Sequence, residues 1–196
     1  MKATFFERVG AYLLDTIIIS LIFSVICFGI GDNTKTEELL LEELDNKLLQ
    51  SEITTNEYLD EYMDIMYDYQ KETILTSGIS LALTVAYFVV FQYMNKGQTI
   101  GKKLLKIQVV DKKTKKPISI LKGLLRSFII TSTLSGIVSL ITLYLLKQNT
   151  YYIIYGTLLG IETLFILITT ILVLYKNDGR GLHDLMANTS VIKESR

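Results

Sequence analysis

Residues 9–30, VGAYLLDTIIISLIFSVICFGI, decide the fold. A helix needs roughly 20 apolar residues to cross a bilayer, and this run supplies them with one ionisable interruption, Asp15. Three more runs of that length follow, at 73–94, 127–146 and 151–175. The second and third carry no charge, and the fourth holds one carboxylate, Glu162. The pattern predicts an all-α polytopic membrane protein with four transmembrane helices. The lipid bilayer is its first partner.

The formal net charge is zero. That zero is a cancellation between two opposite blocks. Residues 31–72 hold thirteen Asp and Glu against three Lys, and residues 95–122 hold nine Lys against one Asp. Cationic loops stay in the cytoplasm. The basic 95–122 loop is therefore expected inside, with both termini, and the acidic 31–72 insertion outside the cell membrane. The first run is too long and too interrupted for a cleaved signal peptide, which predicts a retained anchor.

Gly29, Gly31, Asp32 and Asn33 are expected to end the first helix. Thr34 with Glu37, and Thr54 with Glu57, read as capping boxes. Leu41, Leu44 and Leu48 make one apolar stripe, and Tyr58, Tyr62, Ile65, Met66 and Tyr69 another, giving an acidic helical hairpin. In the basic loop, residues 106–111 are β-like, 112–116 form a charged turn and 117–119 return as a hairpin. The short run 190–192 is a candidate third strand. Pro117 is the single proline, so no span is expected to be kinked by proline.

Several chemistries are excluded. One Cys and one His do not build a transition-metal site. Gly97–Lys102 superficially suggests a phosphate loop, but three residues separate its glycines, Lys103 replaces the hydroxyl residue and no strand precedes it. Asp60, Asp64 and Asp68 recur every fourth residue without the glycine or spacing of a calcium loop, so they read as a solvated face. His183 and Asp184 have no nucleophile in motif context. The chain is not expected to be an enzyme, to carry a cofactor or to bind nucleic acid.

Carboxylates at membrane depth are costly and usually partnered. Asp15 lies two turns from Arg8 on one helix face, about 10 Å deeper. Its best basic partner within the chain is expected to be Arg126, at the start of the third span. Glu162 has no charged neighbour in its span and shares a face with Thr169. Gly156 and Gly160 form a small-xxx-small motif on another face. A structural ion pair, and a neutral packed Glu162, are the plain readings of these groups. A path for a monovalent cation or proton through Asp15, Glu162, Arg8 and Arg126 is the functional one.

Taken in order, RVGAYLLD (8–15), GQTIGKKLLKIQVVD (97–111), Arg126 and LHDLMANTSVI (182–192) resemble the RDD family of small membrane proteins. The resemblance marks Gly97, Thr99, Gly101, Lys102, Asp111 and Asp184 as motif positions. Asp184 is the first candidate for the family's second Asp, and Asp111 is the other. The chain departs from the pattern in its long acidic insertion and in the span bearing Glu162. The resemblance implies an integral membrane protein for which either cation–proton exchange or an accessory role beside another membrane protein is expected. A four-helix chain is small for a transport path, so a homo-oligomer is also expected.

Overall fold

The computed structural model describes residues 1–28 and 34–194. The expected helix stop at residues 29–33, and the capping box at Thr34, lie outside the described residues and side chains.

Helix α1 (Phe5–Cys27) opens with a capping box that the sequence reading did not name. The Thr4 hydroxyl accepts from the Glu7 N–H, and the Glu7 carboxylate accepts from the Thr4 N–H. Only Ala11 and Asp15 of this helix are buried. Leu13, Ile17, Leu21 and Val25 are more than half exposed, as suits a helix whose apolar side meets lipid and whose polar side meets protein.

Helices α2 (Thr34–Leu49) and α3 (Thr55–Glu72) form the expected hairpin, with the Thr54–Glu57 capping box in place. Leu44 is 1% exposed. Tyr58 donates to Asp45 across the hairpin. The hairpin also rests on the span ends: Tyr67, Leu143 and Tyr151 form a buried hydrophobic cluster. Tyr67 donates to the Leu146 carbonyl and Tyr152 to that of Met63.

After Thr73, helix α4 (Ile74–Val85) continues through a π-helical segment, Ala86–Phe91, into α5 (Gln92–Met94), making one apolar helix of 21 residues. A π-turn widens the helix by one residue and here brings Tyr87, Phe88 and Val89 into the interior. The short helix α6 (Ile100–Leu104) and strand β1 (Ile107–Asp111) follow.

The third span is not the single helix expected. It consists of α7 (Ile120–Ile130) and α8 (Thr133–Leu145), bent by 74°. No proline or glycine sits at the bend. Ser132 adopts a left-handed conformation, φ 50° and ψ 29°. Hydroxyls add local bonds around the break: Thr131 donates to the Ser127 carbonyl, Ser135 to that of Ser132, and Thr131 meets Thr133 at 2.7 Å, the two carbonyls also accepting the Thr131 and Gly136 N–H groups. Non-helical backbone at membrane depth needs such internal partners.

Helix α9 (Gln148–Tyr175) has 28 residues, about 42 Å at 1.5 Å per residue. Its glycine motif does not pack as expected. Beyond the helix's own neighbouring backbone, no atom lies within 4 Å of a Cβ built at Gly156 or Gly160. The chain ends with α10 (Leu182–Met186) and strand β2 (Thr189–Lys193).

The β element also departs from the expected hairpin. β1 pairs antiparallel with β2, Ile107 opposite Lys193 and Asp111 opposite Thr189. Pro117 makes one isolated bridge, to Val110. Proline has no N–H to give to a ladder, whereas Thr189–Lys193 has a full set of donors. Lys2 bridges Ile192 and the Ala3 N–H donates to Val191, so both ends of the chain meet on this sheet. Ala3, Ala11, Ile107, Val109, Ile118 and Val191 form its core.

Candidate functional site

Two fully buried carboxylates organise the face where the termini lie. The first is Asp15, with no exposure. Its Oδ2 accepts from the Thr99 hydroxyl at 2.5 Å. Its Oδ1 accepts from the Tyr87 hydroxyl at 2.6 Å and the Gly101 N–H at 2.7 Å. Lys102 Nζ stands 3.9 Å from Oδ2 and donates to Gln92 at 2.8 Å. Burial lowers the Lys102 pKa to about 8, against the pull of Asp15.

The loop after α5 is shaped to reach that carboxylate. Gly97 turns at φ 88°, and a Cβ there would lie 2.1 Å from the Val109 carbonyl oxygen. This is a backbone approach only glycine permits. Thr99 caps α6 and accepts from the Lys102 N–H. A Cβ on Gly101 would lie 2.3 Å from the Ala11 carbonyl oxygen and 2.8 Å from Asp15 Oδ1. Gly97, Thr99, Gly101 and Lys102 therefore converge to seat α6 on α1, with Asp15 as the acceptor.

The second carboxylate is Asp184, also with no exposure. Arg8 Nη1 donates to Oδ2 at 2.9 Å, and Arg126 Nη1 donates to Oδ1. The Thr189 hydroxyl donates to Oδ1 at 3.0 Å and accepts from Arg126 Nη1 at 2.7 Å. His183 Nε2 lies 3.3 Å from Oδ2. Burial alone would raise the Asp184 pKa, but the charge of Arg126 leads the terms that outweigh it and hold it well below the usual carboxylate range. Burial pushes His183 the other way, below its ordinary value, despite the neighbouring Asp184.

This pairing corrects the expected one. Arg126 and Arg8 bind Asp184, while Asp15 takes uncharged donors and Lys102. A carboxylate at a chain end can compete for an arginine 58 residues away only once the tail strand has docked. Asp111 stands apart from both clusters. Its carboxylate closes a surface turn by accepting from the Lys113 and Thr114 N–H groups and pairs with Lys122.

Glu162 is 7% exposed and is not isolated. Its Oε2 accepts from Ser135 of α8 at 2.9 Å, and its Oε1 has no partner. Thr169, two turns further along α9, lies against Gly181. The sequence reading missed Tyr87, Ser135 and Thr189. Tyr87 left a signal, since a phenol in an apolar span needs a polar partner; Ser135 and Thr189 left none.

Two cavities approach the broken span from opposite faces. The termini-side one, about 290 Å³, is bordered by Arg8, Lys102, Arg126, His183 and apolar residues of α1, α7 and α9. The hairpin-side one, about 1080 Å³, is bordered by hydroxyls that include Thr76, Ser80, Thr84, Ser132, Ser135 and Ser139. Thr131 borders both.

Residues 2–188 match the family model described as RDD family. No curated protein and no solved structure matches the chain.

Proposed function

Because the chain belongs to the RDD family of membrane proteins, we propose that it carries a monovalent cation or proton across the bilayer through its broken third span. The observation that carries this reading is Thr131, which borders both cavities at the 74° bend. Unwound backbone with hydroxyls at a helix break is the kind of environment that coordinates small cations inside a membrane. Glu162 supplies the exchanging carboxylate. It is tied to that break through Ser135, and its free Oε1 is a ready acceptor for a proton or cation. Asp15 is given a different role from the one its sequence position suggests: its oxygens are already engaged, so it latches α6 to α1. Arg8 and Arg126 hold the tail through Asp184. The Lys-rich loop supports a cytoplasmic location of both termini in a cell membrane. No catalytic step is assigned to the protein.

Proton movement driven by sodium or potassium gradients in proteoliposomes tests this. The wild type should show flux, and Glu162→Gln should lose most of it while unfolding at a similar temperature. Well-folded wild type without flux under either gradient would overturn the proposal.

One observation favours a second reading, an accessory protein for another membrane protein. Leu39 and Leu49 on α2 are 66% and 81% exposed outside the spans, an apolar surface suited to a partner or a second copy. Deleting 34–72 should abolish crosslinks to such a partner.

A further inference from the structure

The termini-side cavity joins an apolar groove to an excess of positive charge. Its walls include Val9, Tyr12 and Ile166, which are 37%, 38% and 45% exposed on the outer, lipid-facing surface. At its polar end stand Arg8, Lys102 and Arg126, faced by two carboxylates, Asp15 and Asp184. Asp178 is taken by Arg180 at 2.6 Å and Lys112 at 4.0 Å. His183, with its pKa lowered by burial, adds no charge at neutral pH. One positive charge is left uncompensated in a buried setting, which is costly unless an anion meets it.

The polar atoms agree with the charge. Among the described residues, six buried side-chain polar atoms lack a partner. Four of them, Arg8 Nε and Nη2, Thr169 Oγ1 and His183 Nδ1, belong to residues bordering this cavity. Three of the four are donors when the His183 Nε2–H donates to Asp184 and leaves Nδ1 an acceptor. Arg8 spends only Nη1 on Asp184, leaving the rest of its planar fork, a geometry that suits phosphate oxygens.

We propose that this cavity is a binding site for an anionic phospholipid, its phosphate on Arg8 and Arg126 and its acyl chain in the groove between α1, α7 and α9. A phosphodiester carries one negative charge, the amount the cluster lacks. Basic pockets between membrane helices on the cytoplasmic side are suited to such headgroups, and the apolar rim favours a lipid over a free anion. The site shares the termini-side cavity and Thr131 with the proposed cation path, but it does not use Glu162 or the hairpin-side cavity, and its test reads lipid retention rather than flux, so either proposal can fail without the other.

Native mass spectrometry and thermal unfolding of the full chain test it, with phosphatidylglycerol, phosphatidylcholine and inorganic phosphate as probes. Phosphatidylglycerol should be retained and raise the unfolding temperature, and phosphatidylcholine should do neither. Ile166→Trp fills the groove without touching the ion cluster and should weaken phosphatidylglycerol retention roughly tenfold, a loss of about 1.4 kcal/mol. Arg8→Lys, which removes the fork but keeps the charge, should weaken it as well; the Ile166 variant keeps the test valid where that protein does not fold. Equal retention of both lipids would overturn the proposal, as would undiminished retention by Ile166→Trp. Inorganic phosphate alone protecting as strongly as the lipid would identify a free-anion site and overturn it too.

Discussion

The carboxylate of Asp15 and the backbone N–H of Gly101 stand 2.7 Å apart, joining the first membrane helix to a five-residue helix 86 positions later. The contact forms because neither side keeps a bulky group between them. Gly101 has no Cβ, and Ala11, one turn before Asp15, is fully buried against the same helix.

Gly101→Ala should therefore destabilise more than a helix-favouring substitution ordinarily would. Its methyl would lie 2.3 Å from the Ala11 carbonyl oxygen, and α6 would have to lift off α1. Overpacking of this kind costs about 1–3 kcal/mol. Thermal unfolding in detergent reads the loss, and an unchanged midpoint would show that α6 does not bear on α1.

Asp184→Asn should be more damaging than Asp15→Asn. Asp184 compensates two buried guanidinium groups, and removing one partner of such a cluster costs about 3–5 kcal/mol. Asp15 accepts mainly uncharged donors, so its amide retains part of the network and loses about 1–3 kcal/mol. Asp111→Asn, at the surface turn, should cost much less than either. Chemical denaturation of the three variants in one detergent ranks them.

Acidification should weaken the fold in two windows. The folded-state pKa of His183 lies below its ordinary 6.5, so the unfolded chain binds its proton first. Stability is complete above that value and falls as pH drops below it. The pKa of Asp184 is also depressed, from an ordinary 3.8, so its contribution is lost at still lower pH. His183→Gln should flatten the first window and leave the second. Unfolding midpoints from pH 8 to pH 3 separate them.

Ser132→Gly should stabilise the protein, and Ser132→Val should destabilise it. The left-handed backbone at Ser132 costs an L-residue about 1–2 kcal/mol that glycine does not lose, partly offset by glycine's greater freedom when unfolded. A β-branched residue fits that conformation worst. Opposite shifts in unfolding temperature are the expected result, and shifts of the same sign would contradict a left-handed break.

Local sequence alone settled the membrane class and the helical hairpin at 34–72, and it singled out Gly97 and Gly101 without saying what they approach. Each of these depends on neighbours in the chain: hydropathy over about 20 residues, capping boxes over four and glycine backbone freedom at one. Tertiary structure alone decided which carboxylate took which base. Arg126 is near the expected membrane depth for Asp15, yet it pairs with Asp184, because docking of β2 against β1 carries the tail to the mouth of α1. The bend at Thr131–Ser132 was hidden for a related reason. The local sequence is apolar and free of proline, its hydroxyls at the break bond partners within four residues, and the Ser135–Glu162 contact that ties the break to α9 exists only after the helices are placed. Local periodicity records what a segment buries; it does not record which distant segment supplies the partner.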